Sequence, residues 1–243
     1  MMHWQPITAI TVVTWNGLAY NKQFINSLQY IKFPYKLFIW DNNSTDGTKE
    51  FLTTEVQEKY PHATVVYSPE NLGMTPAWSR CLEFAFIENQ NCKYCLLCNN
   101  DISFTSTVNT LIPFMEEYTE MGYVCSNILD SSIPVEKAEE EAQRISSNEI
   151  LLDELLFPAS LISKECFNSC GFFDENLKVA FNDSEYWHRA RKAGFGAAVY
   201  NGSWIWHKNH ASCDLVPKES FKKQFDEDFE YYKKVYAEKG YHG

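Results

Sequence analysis

Apolar runs alternate with helical patterns through the first hundred residues of the chain. Four short runs are predicted to be strands, at 7–14, 36–40, 64–67 and 94–98. The first is nearly continuous and rich in β-branched residues, as expected of a strand that is buried on both faces of a parallel sheet. The alternation therefore predicts an α/β fold, with a Rossmann-like, mostly parallel sheet flanked by helices.

Helical patterns fill the intervals between these strands. We expect helices over 18–31, up to about Lys59, and over 76–86, where Pro76 suits a first helical turn. Beyond the fourth strand the pattern predicts a helix at 107–118 and a strand at 123–129. An acidic stretch at 135–144 is either a solvated helix or a mobile flap, and 150–162 is expected to be a strand followed by a substrate-facing loop.

The tail carries aromatic residues at helical spacing, which predicts core packing or the seam of a homo-oligomer. The stripe consists of Phe221, Phe225, Phe229, Tyr232 and Tyr236. We expect one continuous globule with three parts: two halves, at 1–101 and 102–215, and a helical tail at 216–243.

Composition narrows the function classes. The 243 residues carry a net charge of -11 and are 45% hydrophobic, which argues for a packed globule and against a broad nucleic-acid surface. No apolar run is long enough to span a bilayer and no cleavable leader is evident, so a cytoplasmic protein with reduced cysteines is expected. Cys92, Cys95 and Cys98 are spaced like part of a metal or iron–sulfur site. Along a strand this spacing sends successive side chains to opposite faces, which favours core packing.

Each predicted strand is followed by polar residues. In open parallel sheets ligands bind outside the carboxyl ends of the strands, so these residues should meet in one crevice. Turn formation alone is the competing interpretation. A nucleotide bound in this crevice would bring a negatively charged diphosphate. The chain has no Gly-rich phosphate loop, so a metal ion held by a carboxylate after the fourth strand would neutralise that charge. The residues are Thr14, Trp15 and Asn16; Asp41 and Asn42; Asn71 and Gly73; and Asn99, Asn100 and Asp101.

These segments, in this order and spacing, resemble a family 2 glycosyltransferase of the GT-A fold, close to the rhamnosyltransferase-like branch. The resemblance covers roughly residues 7 to 210. Its carriers are VVTWNG (12–17), WDNNSTDGT (40–48), ENLGMTPAWSRCL (70–82), LLCNND (96–101), the segment 171–195 and WH (206–207).

The resemblance implies a role for each strand end. Thr14, Asp41 or Asn42, and Asn71 would hold the nucleoside, and Trp15 would pack against the ring of its base. The remaining strand-end residues would complete the donor site.

The same resemblance implies a metal centre. Asn99, Asn100 and Asp101 stand at the D-x-D motif, where Asp101 matches the metal-binding carboxylate and Asn99 replaces the first one. His207 would complete the coordination of Mn²⁺ or Mg²⁺, with His210 as a weaker candidate. The motif then offers a single carboxylate, which such ions tolerate because donor phosphates and water fill the other positions.

The segment NDSE, residues 182–185, resembles the family's E-D-x-D segment at the start of a helix, and capping of that helix is the structural alternative. The resemblance places Asp183 at the general base, while Asn182 departs from the motif. Arg189 and Arg80 are left out of the core site, because exposed helical arginines are more often solvated than bound to phosphate or acceptor.

The resemblance thus implies an inverting, metal-assisted hexosyl- or deoxyhexosyltransferase. Residues 1–101 would be its nucleotide-sugar-binding half, and residues 102–215 its acceptor-binding and catalytic half. Its donor would be a UDP- or dTDP-sugar, and its acceptor a glycan or another hydroxyl compound. The alternatives are a catalytically inactive nucleotide-sugar-binding protein, a nucleotidylyltransferase, for which the basic Gly-rich loop is not seen, and a cysteine-bound cluster protein.

Overall fold

A computed structural model describes residues 7–152, 158–209 and 218–236. In the first hundred residues, four strands alternate with helices. The strands are β1 Thr8–Thr14, β2 Tyr35–Asp41, β3 Thr64–Tyr67 and β4 Tyr94–Asn99. The helices are α1 Leu18–Ser27, α2 Thr48–Phe51, α3 Gln57–Lys59 and α4 Met74–Glu83.

Tighter or wider turns extend these helices. A 3-10 turn, Leu28–Tyr30, follows α1, and the π-helical turn Leu52–Val56 joins α2 to α3. A second π-helical turn, Phe84–Glu88, follows α4. The predicted helices at 18–31 and 76–86 are therefore present, although the second begins at Met74 and places Pro76 in its first turn, as expected.

The second half adds five strands and five helices among the described residues. The strands are β5 Ile102–Phe104, β6 Met121–Leu129, β7 Ile150–Leu151, β8 Ala159–Ser163 and β9 Gly196–His207. The helices are α5 Leu111–Glu117, α6 Ala138–Ile145, α7 Lys164–Cys170, α8 Asn182–Lys192 and α9 Lys218–Val235, and 3-10 turns precede α5 and α6 at Ser106–Thr110 and Val135–Lys137.

The described strands form a single nine-stranded sheet in the order β3-β2-β1-β4-β8-β6-β9-β5, and β7 pairs with β9. The four strands of the first half are parallel, and β8 runs antiparallel to both β4 and β6. The sheet is mostly parallel, as predicted, and it continues across residue 101. Hydrophobic clusters cover its two faces.

Two details differ from the sequence-based expectations. The stretch 150–162 was expected to be one strand and a loop, but Ala159–Ser163 is itself a strand that pairs with β4. The pairing satisfies backbone groups that a buried loop would leave open. Residues 153–157, in the middle of that stretch, lie outside the described residues. The acidic stretch forms α6, whose Ala138 and Ala142 are buried beside Trp206, so it is a helix and not a flap.

The cysteine motif lies in the core. Cys95 packs in the cluster under one face of the sheet and Cys98 in the cluster under the other. Sulfur atoms on opposite faces of a strand do not converge on one cluster, so core packing, as predicted, accounts for them. No helix in the parts of the chain that are described is both long and apolar enough to cross a membrane.

Candidate active site

The carboxyl ends of β1, β2 and β4 lie side by side. Thr14 pairs with Asp41 across β1 and β2, and Val13 pairs with Asn99 across β1 and β4. This register brings the predicted donor residues of three strands to one edge of the sheet. We call this edge, residues 14–17, 41–44 and 99–101, the donor edge.

A buried asparagine that the sequence analysis did not select connects the donor edge. Asn21, on α1, accepts hydrogen bonds from Thr14 Oγ1 at 2.7 Å and Asn100 Nδ2 at 2.8 Å. Its own amide donates to Asn16 O at 2.9 Å and to Thr48 Oγ1 at 3.1 Å. The sequence did carry a signal, because Asn21 lies on the buried face of α1, three and four residues before Phe24 and Ile25.

The loops after β1 and β2 are tied to each other. Asn16 has a left-handed backbone, with φ of 55°, and Gly17 follows with φ of 69°. The backbone N–H of Asn16 donates to Ser44 Oγ at 2.7 Å, and its side-chain oxygen accepts from the N–H of Thr45 at 2.8 Å. The predicted site residue Asn16 thus fixes the loop conformation beside half-buried Trp15.

Asp41 has one carboxylate oxygen in use and one without a donor. Oδ2 accepts from the N–H of Ser44 at 3.1 Å. Oδ1 is buried and has no hydrogen-bond partner. A buried acceptor without a donor is costly, and an N–H group of a ligand at the donor edge would satisfy it.

Asn42 and Asn71 have a different arrangement from the one expected of nucleoside contacts. Asn42 Nδ2 donates to Asn71 Oδ1 at 2.7 Å and to Gly73 O at 3.0 Å, and Asn42 Oδ1 accepts from the N–H of Leu72 at 2.9 Å. Gly73 adopts φ of 85°, which favours glycine. These side chains therefore hold the loop between β3 and α4 against the end of β2.

The structure brings Asp101 and His207 together. Antiparallel pairing of β5 with β9 sets Ile102 opposite His207, and the N–H of Lys208 donates to Asp101 O at 3.0 Å. His207 Nε2 lies 3.2 Å from Asp101 Oδ1, and both side chains are largely buried.

These two side chains fit one end of a divalent cation site. His207 Nε2 and Asp101 Oδ1, which are 3.2 Å apart, are close enough to be two adjacent ligands of one cation. Within the described ranges, no group of three or more His, Cys, Asp or Glu residues is placed to hold a metal. One carboxylate and one imidazole suit a cation whose remaining positions come from phosphate and water. His210 lies outside the described residues.

Asp183 lies in the first turn of α8. Its Oδ1 accepts from the N–H of Ser184 at 2.7 Å. Burial raises the pKa of the Asp183 carboxyl above its ordinary value, and the hydrogen bonds from Ser184 offset part of that shift. A carboxylate with a raised pKa is a stronger base.

Asn182, which departs from the family motif, binds another part of the protein. Its Nδ2 donates to Thr75 Oγ1 at 2.8 Å, and Thr75 Oγ1 donates to Leu177 O. Thr75 is in the first turn of α4, directly after the loop that Asn42 holds. This bridge brings the start of α8 next to the start of α4, so the Asp183 segment adjoins the strand-end loops.

The expectation that Arg189 is solvated was wrong. Arg189 binds Glu185 through two hydrogen bonds, Nε to Oε1 at 2.6 Å and Nη2 to Oε2 at 2.8 Å. It also donates to the carbonyl oxygens of Cys170 and Phe172. Because the Glu185 side chain is only 1% exposed, its charge needs this partner. Arg80 is exposed as expected and pairs with Glu83.

The family model described as Glycosyl transferase family 2 matches residues 9–153. That span includes the donor edge and Asp101 but ends before Asp183 and His207. No curated protein matches the chain.

The solved structures that share this fold include the following three. The mannosyltransferase PcManGT from Pyrobaculum calidifontis, in complex with GDP-Man and Mn²⁺, is 14% identical with a TM-score of 0.64, covering 84% of this chain and 57% of its own. GalNAc-T7 with UDP, GalNAc and Mn²⁺ is 12% identical with a TM-score of 0.65, covering 85% of this chain and 44% of its own. S. aureus TarS 1-349 in complex with UDP-GlcNAc is 18% identical with a TM-score of 0.62, covering 89% of this chain and 64% of its own. The chain thus spans about half the length of the first two proteins.

Proposed function

The chain belongs to glycosyl transferase family 2, and we propose that it transfers a sugar from a nucleotide-diphosphate sugar to an acceptor hydroxyl with inversion at the anomeric carbon. One observation carries the proposal. A carboxylate–imidazole pair, Asp101 and His207, stands at the end of the donor edge, and the start of α8, which carries Asp183, is bonded to the neighbouring helix α4. They would supply the two groups that the reaction requires, a metal site for the diphosphate and a base for the acceptor hydroxyl.

Asp101 and His207 are the residues proposed to hold Mn²⁺ or Mg²⁺. When bound, the cation would neutralise negative charge that grows on the departing diphosphate. The close approach of His207 Nε2 to Asp101 Oδ1 supports this assignment, as do the Mn²⁺ ions named with PcManGT and GalNAc-T7.

Asp183 is proposed as the general base. It would accept the proton of the acceptor hydroxyl while the hydroxyl oxygen bonds to the anomeric carbon and the bond from that carbon to the phosphate oxygen breaks. The nucleoside diphosphate then leaves with the bonding electrons, and a single displacement inverts the configuration. The pKa of Asp183, raised by burial, brings the carboxylate closer to the basicity that proton abstraction needs.

We propose a UDP- or dTDP-sugar as the donor. Uracil and thymine carry an imide N–H, which would satisfy the buried Asp41 Oδ1 at the end of β2. Thr14, Trp15, Asn16, Asn99 and Asn100 would line the same site, while Asn42, Asn71 and Gly73 would shape it through their mutual contacts. The proposal also includes an acceptor that carries a hydroxyl group, an acceptor-binding half that begins at residue 102, and a cytoplasmic location.

A screen of donors tests the assignment. The purified protein is incubated with UDP-, dTDP- and GDP-sugars in the presence of Mn²⁺, Mg²⁺ or EDTA, and release of nucleoside diphosphate is measured. We expect turnover of a UDP- or dTDP-sugar that EDTA abolishes, and Asp101→Asn should lower metal-dependent turnover by about a hundredfold or more. Glu58→Gln, which alters an exposed carboxylate on α3, serves as the control.

A second candidate is a nucleotide-sugar-binding protein without catalysis. It is favoured by Asn99 and Asn182, which stand where the family motifs carry carboxylates. Binding of a donor without release of diphosphate, with any of several hydroxyl acceptors added, would support it, whereas no binding of any donor would exclude both functions.

A further inference from the structure

The tail helix α9 supports the segment that carries the proposed base. We call residues 174–183 the base segment. Asp228 of α9 is 1% exposed. Its Oδ2 accepts hydrogen bonds from the backbone N–H groups of Lys178, Val179 and Ala180, at 2.9, 2.7 and 2.9 Å. Successive N–H groups that converge on one oxygen form an anion-binding nest, and here a side chain of the same chain fills it.

A strained aromatic residue adjoins this nest. Phe181 has a left-handed backbone with φ of 62°, which is uncommon for a residue with a side chain. Its ring lies against three rings of α9, with centroid distances of 5.3 Å to Phe225, 5.6 Å to Phe229 and 5.1 Å to Tyr232. Strained residues persist where surrounding contacts over-determine them, and they are concentrated at functional sites.

A third contact holds the beginning of the base segment. Asp174 Oδ2 accepts from Tyr231 Oη at 2.9 Å and from Tyr236 Oη at 2.6 Å. Leu177 is fully buried against Tyr232. Four residues of the tail's aromatic stripe therefore contact the base segment: Phe225, Phe229, Tyr232 and Tyr236.

We propose that α9 is a positioning element for catalysis and that Asp228 is its principal positioning residue. The inference rests on the proposed role of Asp183. The three N–H groups and the ring of Phe181 fix the turn at 178–181, and Asn182 and Asp183 follow directly in the first turn of α8. If these contacts are lost, the turn relaxes and the Asp183 carboxylate leaves its position for the acceptor hydroxyl.

Loss of the α9 contacts should affect turnover and donor binding differently, because of where α9 binds. Among the contacts described above, those of α9 are with the base segment, and the hydrogen bonds of the donor edge run among β1, β2, α1 and their loops. Removal of the Asp228 carboxylate should therefore affect turnover more than donor binding. A merely structural role would weaken both together.

The test compares Asp228→Ala and Asp228→Asn with Asp226→Ala, which removes an exposed carboxylate from the same helix. Donor affinity and turnover are measured on the full chain for each variant, and backbone hydrogen exchange is measured at residues 178–180. We expect turnover to fall by about 10- to 100-fold in Asp228→Ala, as for a misplacement of roughly 1 Å, with donor affinity kept within about twofold. Exchange at 178–180 should accelerate, and Asp228→Asn should lie in between because its carbonyl oxygen still accepts.

The outcomes separate this inference from the proposed function. If the wild-type chain turns over, Asp183→Asn does not, and Asp228→Ala matches the wild type, only the inference falls. If the wild type has no turnover with any donor, the proposed function fails and the inference with it. Equal losses of donor affinity and turnover in Asp228→Ala also overturn it. Should that variant not fold, Phe181→Leu, which keeps an apolar side chain but removes the ring contacts, is expected to show the same selective loss of turnover.

Discussion

At the donor edge, polar side chains hold one another, whereas at the base segment the backbone is held by a distant helix. Asn21 binds Thr14, Asn100 and Thr48 within a network of neutral hydrogen bonds. The base segment has instead a buried carboxylate, Asp228, on successive backbone N–H groups. In the proposed function, the first arrangement would shape a rigid surface for the donor, and the second would fix the direction of the Asp183 side chain.

This difference accounts for Asn182, one of the two departures from the family motifs, and for the amide at the middle position of the D-x-D motif. Asn182 carries no charge, but its amide is the donor that joins the base segment to Thr75. Asn100 likewise joins the turn before Asp101 to Asn21. An amide suits these places because it donates a hydrogen bond, which an ionised carboxylate does not.

The largest effect is expected from Asp183→Asn. Loss of the general base should lower turnover by about 10²- to 10⁴-fold, while donor affinity stays near that of the wild type because Asp183 is not part of the donor edge. Calorimetric titration of the donor and single-turnover kinetics measure the two quantities separately. A parallel fall in donor affinity would contradict the division between the two regions.

A smaller effect is expected from Asn21→Ala at the donor edge. The change removes the buried acceptor of Thr14 Oγ1 and Asn100 Nδ2 and should reduce the free energy of unfolding by about 1–3 kcal/mol. Donor affinity should fall with it, because the loops around Asn16 and Asn100 lose their common partner. Chemical denaturation and donor titration measure these changes. Asn26→Ala, at an exposed position of the same helix, is the control, and equal effects of both substitutions would contradict the role of Asn21.

The smallest expected effect is a displacement of the pH profile. Asp183 must be ionised to accept a proton, so turnover falls as the pH drops through its pKa, which burial raises. The acid limb of the turnover rate should therefore lie above the ordinary aspartate value of about 3.9. Donor affinity measured over the same pH range removes any contribution from the donor edge. An acid limb at or below the ordinary value would show that the carboxylate is more solvated than the structure indicates.

Much of the donor half follows from local pattern. The strands at 7–14, 36–40, 64–67 and 94–98 agree closely with β1 to β4, because continuous β-branched or apolar runs specify strands that are buried on both faces. Strand β8 was missed, since the apolar positions of 150–162 do not reveal where a strand begins. Asn21 was missed because the role of a polar residue on a helix depends on its hydrogen-bond partners on other elements.

The sequence by itself determined the parallel sheet and the polar residues after each strand, since both depend on periodicity and on residues near in the chain. Only the tertiary structure decided that β5 and β9 pair so that Asp101 meets His207, that Arg189 neutralises buried Glu185, and that Asp228 binds the base segment. These contacts join residues far apart in the chain. Their energies arise when burial removes water from charged and polar groups, and no local pattern records which distant group replaces that water.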